Sequence, residues 1–280
     1  MPGARGPLLT AASHALLAQA LRAGRAQCLC SLDLGLSQEA VALDAAGFTW
    51  HGSRYPWPAR LRDRTIYHWD GTAFEPAAVY AGSLIKLVPT PWGAPTFEID
   101  GIKMLPTARD SPFEDARRKV ELVGVSQRRV LDTCGGLGYF AAWCVRRGAS
   151  QVVSCEKNPH VLWLRTLNPW SPSADAVLEV RNTAIETHIE TLASGSFDVV
   201  LHDPPRFGIA GELYAATFYR QLARVLRPGG LLFHYTGSPN RLTTGRDVPA
   251  EVLRRLGENG LPGRRALDGV LARSVFKPVR

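Results

Sequence analysis

Apolar residues along this chain form short runs that are separated by segments of helical spacing. Predicted strands occupy residues 130–132, 152–156, 177–180, 197–202 and 231–235. Residues 212–226 carry apolar side chains with helical spacing, which predicts a helix; they are Leu213, Phe218, Leu222, Val225 and Leu226. Because strands and helices alternate, we expect a mostly parallel α/β sheet. Asp268-Gly269 is a hairpin turn signal, so this sheet is expected to end in an antiparallel hairpin.

The first hundred residues have a different pattern. Residues 8–23 show helical spacing, with an expected buried face made of Leu9, Ala12, Leu16, Ala20 and Leu21. Residues 48–95 are rich in tryptophan, tyrosine and proline, and their short alternating runs predict strands. Ser111 and Pro112 then have the form of a capped helix start. We therefore expect a small α+β domain at residues 1–105, an N-terminal helix plus a β-rich part that recognises the substrate, and an α/β domain at residues 106–280.

The predicted strand that ends on Asp132 continues into a turn with the sequence Thr-Cys-Gly-Gly-Leu-Gly. Gly136 and Gly138 have no Cβ, so the backbone can turn tightly there and approach a bound ligand closely. Glu156 ends the next predicted strand, where its carboxylate can accept hydrogen bonds from both hydroxyls of a ribose. These features outline a binding site for a nucleotide-type cofactor.

The residues of this turn leave three interpretations open. The spacing from Gly136 to Ala141 matches the alanine variant of the dinucleotide fingerprint, with which a dehydrogenase binds a pyrophosphate. Asp132, four residues before the Gly-Leu-Gly, is better suited to a cationic ligand with an amino-acid tail, such as S-adenosylmethionine. An ordinary glycine-rich turn between a strand and a helix is the third interpretation.

A second motif, Asp203-Pro204-Pro205-Arg206-Phe207, follows the predicted strand at residues 197–202. Prolines donate no N–H and hold the chain extended, so the carbonyls of this segment are expected to be free and to point outward. Together with the Asp203 carboxylate they would form a pocket mouth made only of hydrogen-bond acceptors, which an exocyclic amino group requires. The alternative is a rigid loop with a capping aspartate.

With both motifs, the chain resembles class I S-adenosylmethionine-dependent methyltransferases, in which Asp-Pro-Pro or Asn-Pro-Pro marks enzymes that methylate amino nitrogens. More narrowly, it resembles a predominantly archaeal group of predicted methyltransferases with a His-Asp-Pro-Pro-Arg-Phe motif. The resemblance is carried by residues 99–104, 131–134, 167–171, 202–207, 211–214 and 245–248. It implies a Rossmann-like methyltransferase sheet and an enzyme that methylates N4 of a ribosomal RNA cytosine once or twice.

The resemblance also implies the residues of the site. The cofactor is expected to be S-adenosylmethionine, bound by Asp132, Cys134, Gly136, Gly138, Glu156, Lys157, Asn182, Thr183 and Asp203. The substrate amine is expected to lie against Asp203, Pro204, Pro205, Arg206 and Phe207.

Two positions depart from the wider family. Its nucleic-acid enzymes usually place an aromatic residue directly after Pro-Pro, to stack on the base, whereas this chain has Arg206 and then Phe207. We expect stacking by Phe207 or by the guanidinium plane of Arg206. After the third strand many members have an aspartate for the adenine amino group, where this chain offers Asn182 or Thr183.

Cysteine placement argues against carbon methylation. Methylation of a pyrimidine at C5 needs a thiolate beside the proline motif or at the end of the following strand, and neither position holds a cysteine. The five cysteines are Cys28, Cys30, Cys134, Cys144 and Cys155. Their odd number predicts reduced packing thiols in a cytoplasmic protein. Cys28-Leu29-Cys30 lacks the two-residue gap of a metal knuckle, so we expect no metal.

Charge supports a nucleic-acid partner without proving one. The formal net charge is +8, and residues 241–280 contain nine basic and four acidic side chains. Arginines interleave with the aromatic residues of 48–95, which predicts either a surface that stacks on RNA bases or a core built from tryptophans. Residues 1–32 contain no acid, so a targeting peptide is a further alternative. No apolar run is long enough to span a membrane, and we expect no membrane partner.

The sequence therefore predicts an S-adenosylmethionine-dependent N-methyltransferase that acts on RNA, specifically on rRNA cytosine N4. One rival is a small-molecule amine methyltransferase or an aminopropyltransferase on the same fold. The other is a non-catalytic RNA-binding protein with a vestigial cofactor fold.

Overall fold

The computed structural model describes residues 6–108, 110–237 and 247–275. Within the ranges 241–280 and 245–248 given above, the basic residues Arg241, Arg246, Lys277 and Arg280 and the motif residue Gly245 lie outside the described residues. The described chain divides into two compact units. Unit 1 is the described part of Met1–Glu114 with Trp163–Ser171, and unit 2 is the described part of Asp115–Leu162 with Pro172–Arg280.

Strands and helices follow one another along the whole described chain. The strands are β1 (Leu8–Leu9), β2 (Gln27–Cys30), β3 (Glu39–Asp44), β4 (Gly47–Trp50), β5 (Ser53–Pro56), β6 (Tyr67–Trp69), β7 (Phe74–Pro76), β8 (Ala78–Tyr80), β9 (Leu84–Val88), β10 (Thr96–Ile99), β11 (Ile102–Lys103), β12 (Arg129–Asp132), β13 (Gln151–Glu156), β14 (Leu178–Asn182), β15 (Phe197–His202), β16 (Leu226–Tyr235), β17 (Gly263–Ala266) and β18 (Gly269–Arg273). The α-helices are α1 (Ala11–Arg22), α2 (Pro112–Val123), α3 (Tyr139–Arg146), α4 (Pro159–Leu167), α5 (Ile185–His188), α6 (Ala216–Val225) and α7 (Val248–Glu258), and 3-10 helices lie at Ile189–Thr191 and Gly211–Tyr214.

Unit 2 is built on a seven-stranded sheet with the strand order β14-β13-β12-β15-β16-β18-β17. The five strands from β14 to β16 pair in parallel with their neighbours. β18 runs antiparallel to both β16 and β17. The predicted fold class is therefore confirmed: a Rossmann-like, mostly parallel sheet that ends in an antiparallel hairpin.

The central strands of this sheet are covered on both faces, which explains why their apolar residues follow one another without alternation. Val130, Leu131, Val199, Val200 and Leu201 are all fully buried. The segment at 212–226, predicted as one helix, is a 3-10 helix followed by α6. The two are separated at Ala215, whose extended ψ of 149° interrupts helical geometry.

The terminal hairpin is present, but the prediction that Asp268 and Gly269 form its turn was wrong for Gly269. The structure pairs Ala266 with Gly269, so the two turn residues are Leu267 and Asp268, and Leu267 has a φ of +50°. Gly269 is instead required by packing. A Cβ at Gly269 would lie 2.2 Å from the carbonyl oxygen of His234 on β16.

Unit 1 contains three small antiparallel sheets, with the orders β1-β6-β7, β2-β3-β4-β5 and β11-β10-β9-β8. Its core includes Trp50, Tyr55 and Tyr67, so much of the aromatic content serves packing. Tyr80 and Trp92 are exceptions, with exposed fractions of 76% and 38%.

The face expected for α1 was right for Ala20 and Leu21 and wrong for Ala12 and Leu16. Thr10 caps this helix by accepting from the Ser13 N–H at 3.1 Å, so Leu9 lies before the helix, in β1. Leu17 and Ala20 are the buried helical residues, whereas Ala12 and Leu16 are exposed. Because Leu9 belongs to a strand, it does not set the helical phase. Within the described ranges, no helix is long and apolar enough to cross a membrane.

Candidate functional site

The carboxyl ends of four parallel strands lie along one edge of the unit 2 sheet. In sheet order these ends carry Asn182, Glu156, Asp132 and His202, and Asp203 follows directly. β12 lies between β13 and β15, so the chain winds in opposite directions on its two sides. Open α/β sheets bind ligands outside the strand ends at such a reversal. The structure thus brings the glycine turn and the Asp203 motif to neighbouring strand ends.

The turn after β12 depends on glycine geometry. Gly136 has a φ of +49° and Gly138 a φ of +80°, a region that other L residues rarely adopt. The Gly135 N–H donates to the Cys155 carbonyl at 2.7 Å, which ties the turn to β13. Gly138 is the N-cap of α3 and offers no side-chain cap. The backbone of this turn can therefore be approached closely by a ligand.

Two carboxylates end the strands on either side of this turn. Asp132 is fully buried, and its Oδ2 accepts a hydrogen bond of 2.8 Å from the Ser154 hydroxyl. Glu156 is half-buried and accepts from the Gly136 N–H at 3.0 Å and the Asn158 N–H at 2.8 Å. Since a carboxylate has about four lone-pair sites, Glu156 can accept further hydrogen bonds while these two contacts fix its orientation.

The end of β14 is fastened to the loop after β13. Asn182 Nδ2 donates to the carbonyls of Glu156 at 2.9 Å and Lys157 at 3.0 Å, and the Thr183 N–H donates to the Glu156 carbonyl at 3.1 Å. These contacts use the amide nitrogen of Asn182 and leave its Oδ1 as an oriented acceptor. Lys157 Nζ lies 3.9 Å from carboxylate oxygens of both Glu186 and Glu212.

Asp203 is half-buried just beyond the end of β15. Its carboxylate accepts no hydrogen bond from the residues that the structure describes. Burial raises the pKa of Asp203 to about 6, with the Lys119 ammonium acting to lower it and the Asp115 carboxylate to raise it. At neutral pH the ionised form prevails, and an ionised carboxylate can only accept hydrogen bonds.

The two proline carbonyls of the motif differ. Pro205 accepts a hydrogen bond of 3.1 Å from the Tyr214 hydroxyl, so the expectation that both carbonyls are free was wrong for Pro205. The reason is that the 3-10 helix at Gly211–Tyr214 turns the chain back onto the motif. Pro204 accepts no hydrogen bond from the described part of the chain. A carbonyl has two lone pairs, so Pro205 can still accept a second bond.

The last two residues of the motif lie on the surface. Phe207 is 46% exposed, and its ring meets the ring of Tyr214 edge to face at a centroid distance of 5.5 Å. Arg206 is also exposed, while its carbonyl accepts hydrogen bonds from the N–H groups of Ile209 and Ala210. Both side chains are therefore available to a substrate beside Pro205.

His202 is a structural residue. It is fully buried, and its Nε2 donates to the Leu213 carbonyl at 3.2 Å, so its Nδ1 accepts from the Thr133 hydroxyl at 2.7 Å. Burial lowers the pKa of His202 to about 3. The imidazole is thus neutral and has both nitrogens occupied, which leaves no proton-transfer role for it.

Cys134 is also unsuited to nucleophilic chemistry. Burial raises the pKa of its thiol well above the ordinary value, so it stays protonated. All five cysteines are free thiols, and Cys28, Cys30, Cys144 and Cys155 are buried. Across the described ranges, no cluster of three or more His, Cys, Asp or Glu side chains could hold a metal ion.

Several residues near the motifs were not predicted. Tyr214 lies in residues 211–214, one of the segments that carry the family resemblance. Nothing else in the sequence indicated its contact with Pro205. Thr133 directly follows β12 and Ser154 lies within β13. Their partners, His202 and Asp132, are known only once the strand order is known. Lys119 gave no signal, because a lysine in an amphipathic helix usually faces solvent.

Sequence comparison identifies the family of this domain. The family model described as Conserved hypothetical protein 95 matches residues 105–244, which is half of the chain and includes both motifs. The chain belongs to the Conserved hypothetical protein 95 family. It is also 42% identical over 212 residues to the uncharacterized protein MJ1233 of Methanocaldococcus jannaschii, a match that covers 75% of this chain and 72% of that protein.

Two further similarities concern this member of the Conserved hypothetical protein 95 family. A protein of the same archaeon described as a putative protein N5-glutamine methyltransferase, MJ0928, is 30% identical over 110 residues, 39% of this chain and 53% of that protein. A crystal structure of spermidine synthase with the transition-state analogue AdoDATO aligns with a TM-score of 0.56 and 17% identity, over 70% of this chain and 73% of that one. The latter similarity shows a shared fold.

Proposed function

We propose that this chain is an S-adenosylmethionine-dependent N-methyltransferase that acts on an exocyclic amino group of RNA. The observation that carries this proposal is the half-buried Asp203 carboxylate, which makes no hydrogen bond with the described residues and lies at the strand end beside the glycine turn. N4 of a ribosomal RNA cytosine, methylated once or twice, is the target we propose, on the strength of the family resemblance.

The residues present suit S-adenosylmethionine. Gly136 and Gly138 allow close approach of the methionine part. The Asp132 carboxylate, at the end of β12, suits the cationic end of that part. Glu156 can accept from the two ribose hydroxyls. Asn182 Oδ1 is oriented by the two contacts of its amide nitrogen and can accept a hydrogen bond from the adenine amino group. It would take the role that an aspartate has in many family members.

When bound, the cofactor supplies an electrophilic methyl group on a sulfonium. Asp203 and the Pro204 carbonyl each accept a hydrogen bond from one N–H of the substrate amine. These two hydrogen bonds turn the nitrogen lone pair toward that methyl group. Transfer would form the new N–C bond and break the C–S bond, whose electron pair would return to sulfur. The nitrogen then carries a positive charge and loses a proton, which Asp203 accepts and passes to solvent.

Phe207 is proposed to stack on the target base. Its 46% exposure and its edge-to-face contact with Tyr214 place a supported aromatic face beside Pro205. Aromatic stacking against an unpaired base contributes about 1–3 kcal/mol. Arg206 follows Pro205 directly and offers a charge for a neighbouring phosphate.

An RNA substrate is supported by features of unit 1, which we propose as its recognition module. Tyr80 and Trp92 expose aromatic surface, and Arg60 and Arg62 are exposed arginines. Stacking platforms combined with arginine are the usual means of binding single-stranded RNA.

The proposal is tested with purified protein in two steps. Calorimetry should show S-adenosylmethionine binding, and filter binding at two salt concentrations should show rRNA affinity that weakens with salt. Transfer of a labelled methyl group is then compared between rRNA and free small amines. Label in rRNA supports the proposal. Label only in small amines, aminopropyl transfer, or RNA affinity without cofactor binding would each replace it.

A further inference from the structure

A buried lysine lies near the strand end that carries Asp203. Lys119, on α2, is 1% exposed, and its ammonium forms an ion pair with Asp115 one helical turn earlier. The other carboxylate oxygen of Asp115 pairs with the more exposed Arg118 at 3.3 Å. Removing an ammonium from water is costly even when it is paired. A hydrophobic residue could fill this position, so a charge kept there calls for an explanation.

The position of the Lys119 ammonium explains why a charge is kept there. Its Nζ lies 4.2 Å from the ring centroid of Tyr235, the last residue of β16. β16 pairs in parallel with β15, with His234 opposite His202. Tyr235 follows His234 at the end of β16, and Asp203 follows His202 directly past the end of β15. Both residues therefore lie at the same end of two neighbouring strands, whose spacing is about 4.8 Å, and their side chains interact electrostatically. The lysine reaches the surroundings of the Asp203 carboxylate from α2.

Charged and titratable groups face Asp203 from each surrounding element. They are Lys119 and Asp115 on α2, Tyr214 in the 3-10 helix, Tyr235 on β16 and Cys134 in the glycine turn. Arg206 in the motif and Asp268 in the hairpin turn act on Tyr235. Burial raises the pKa of both tyrosines and of the cysteine, so these three groups are uncharged at neutral pH. Arg206 is exposed and screened by water. Lys119 is the buried cation of this set.

We propose that Lys119 is a positioning residue for amine methylation: its buried ammonium, held by Asp115 and Tyr235, keeps the Asp203 carboxylate ionised as the acceptor of the substrate amine. This inference rests on the proposed function. A protonated Asp203 would carry an O–H donor, which would compete for the nitrogen lone pair and could not accept the departing proton. Asp115 acts in the opposite sense, because its negative charge favours protonation of Asp203.

Removing the charge of Lys119 and removing that of Asp115 should therefore change the pKa of Asp203 in opposite directions. A purely structural role of these two residues would not produce opposite shifts. Lys119→Met should raise the pKa of Asp203 by about one pH unit or more, since an opposite charge at close range typically shifts a carboxyl by 1–3 units. Asp115→Asn should lower it. The double variant Asp115→Asn with Lys119→Met removes both charges and should return the pKa close to the wild-type value. Lys119→Arg should behave like wild type.

The experiment follows the Asp203 carboxyl carbon by ¹³C NMR across pH 4–8, with Asp203→Asn to assign the signal. It needs no substrate. Arg118→Met is the matched control. Arg118 is next to Lys119 in sequence and pairs with the same Asp115 carboxylate, but its side chain is more exposed. Its effect on Asp203 should be much smaller than that of Lys119→Met. The same variants are then compared in the pH profile of methyl transfer, where the acid limb should move with the measured pKa.

An unchanged Asp203 pKa in Lys119→Met, or shifts of the same sign in both single variants, would overturn the inference. If Lys119→Met fails to fold, the double variant and Asp115→Asn still give the sign test. Failure of the proposed function looks different: the pKa of Asp203 would move as expected while wild-type protein methylates no RNA. If RNA is methylated but the acid limb stays fixed in the Lys119 variants, only the inference falls.

Discussion

The hydroxyl of Tyr214 donates a hydrogen bond of 3.1 Å to the carbonyl of Pro205, and Tyr214 is itself 4% exposed. This contact joins the 3-10 helix to the Asp203 motif. Its ring also meets Phe207 edge to face. Tyr214 therefore supports both the Pro205 carbonyl and the Phe207 ring that we propose stacks on the target base. It need not touch the substrate to do so.

Tyr214→Phe keeps the ring and removes the hydroxyl. We expect kcat for methyl transfer to fall about tenfold, because the Pro205 segment loses an orienting hydrogen bond of roughly 1 kcal/mol. Cofactor affinity, measured by calorimetry, should not change. Tyr219→Phe is the matched control, since Tyr219 is a buried tyrosine whose hydroxyl donates to His234 Nε2 at 3.0 Å, away from Pro205. Equal losses of kcat in both variants would contradict a specific role for Tyr214.

Asp203→Asn tests the acceptor carboxylate with little change in shape. An amide has one acceptor oxygen and adds two donors, so the substrate amine is no longer oriented. We expect transfer to fall by roughly 10²–10³-fold, as for removal of one preorganised polar group. The affinity for S-adenosylmethionine should stay within about twofold. A variant that keeps more than a tenth of wild-type turnover would show that Asp203 is not central.

The pH profile follows from the same carboxylate. Because burial raises the pKa of Asp203 to about 6, the acceptor form is lost as pH falls through that value. We expect kcat/KM to be flat above pH 7 and to drop about tenfold per unit well below pH 6. His202, with a pKa of about 3, should contribute nothing in this range. An acid limb that His202→Asn displaces would contradict the assignment.

Glu156→Gln tests the cofactor half of the site. The substitution removes the charge that would accept from ribose hydroxyls and weakens the contacts with the Gly136 and Asn158 N–H groups. We expect S-adenosylmethionine affinity to fall about 10–100-fold, since a hydrogen bond to a charged group contributes roughly 1.5–3 kcal/mol. Glu179→Gln, which changes a partly exposed glutamate on neighbouring β14, is the control and should bind normally.

Stability should fall in mild acid because of two buried histidines. Burial lowers the pKa of His202 to about 3 and that of His234 well below its usual value. Below pH 6.5 the unfolded chain binds protons that the folded protein does not, so each histidine reduces the unfolding free energy by up to about 1.4 kcal/mol per pH unit. The raised pKa of Asp203 opposes this trend between about pH 6 and 4.

Urea unfolding of wild type and His202→Asn at pH 7 and pH 5 isolates one histidine, because Asp203 and His234 are common to both proteins. The variant should be less stable at pH 7 but lose less stability on acidification. Equal pH dependence in the two proteins would show that His202 has the same pKa in the folded protein as in the unfolded chain, and would contradict its burial as a neutral imidazole.

The sheet could be predicted because its signals are local. Strands such as β15 are continuous apolar runs, and their ends are marked by residues that cannot continue a strand, as in Asp203-Pro204-Pro205. The α1 face could not be predicted from spacing alone. Leu9 and Leu16 fit a helical stripe, yet Leu9 lies in β1 and Leu16 is 45% exposed.

The site was predicted at its strand ends and missed where distant segments meet. Asp132 and Glu156 follow from their own strands. Tyr214 meets Pro205 only because a 3-10 helix reverses the chain, and Lys119 reaches Tyr235 from a helix more than a hundred residues away in sequence. A buried lysine in an amphipathic helix has the same sequence pattern as an exposed one, so packing alone reveals it.

Nucleoside mass spectrometry of rRNA measures most directly whether this site methylates an RNA amino group, as we propose. RNA is compared from cells with the gene, without it, and with the deletion complemented by wild type or by Asp203→Asn. We predict that N4-methylcytidine or its dimethylated form is lost on deletion, returns with wild type and stays absent with Asp203→Asn. An unchanged set of methylated nucleosides after deletion would contradict RNA methylation by this protein.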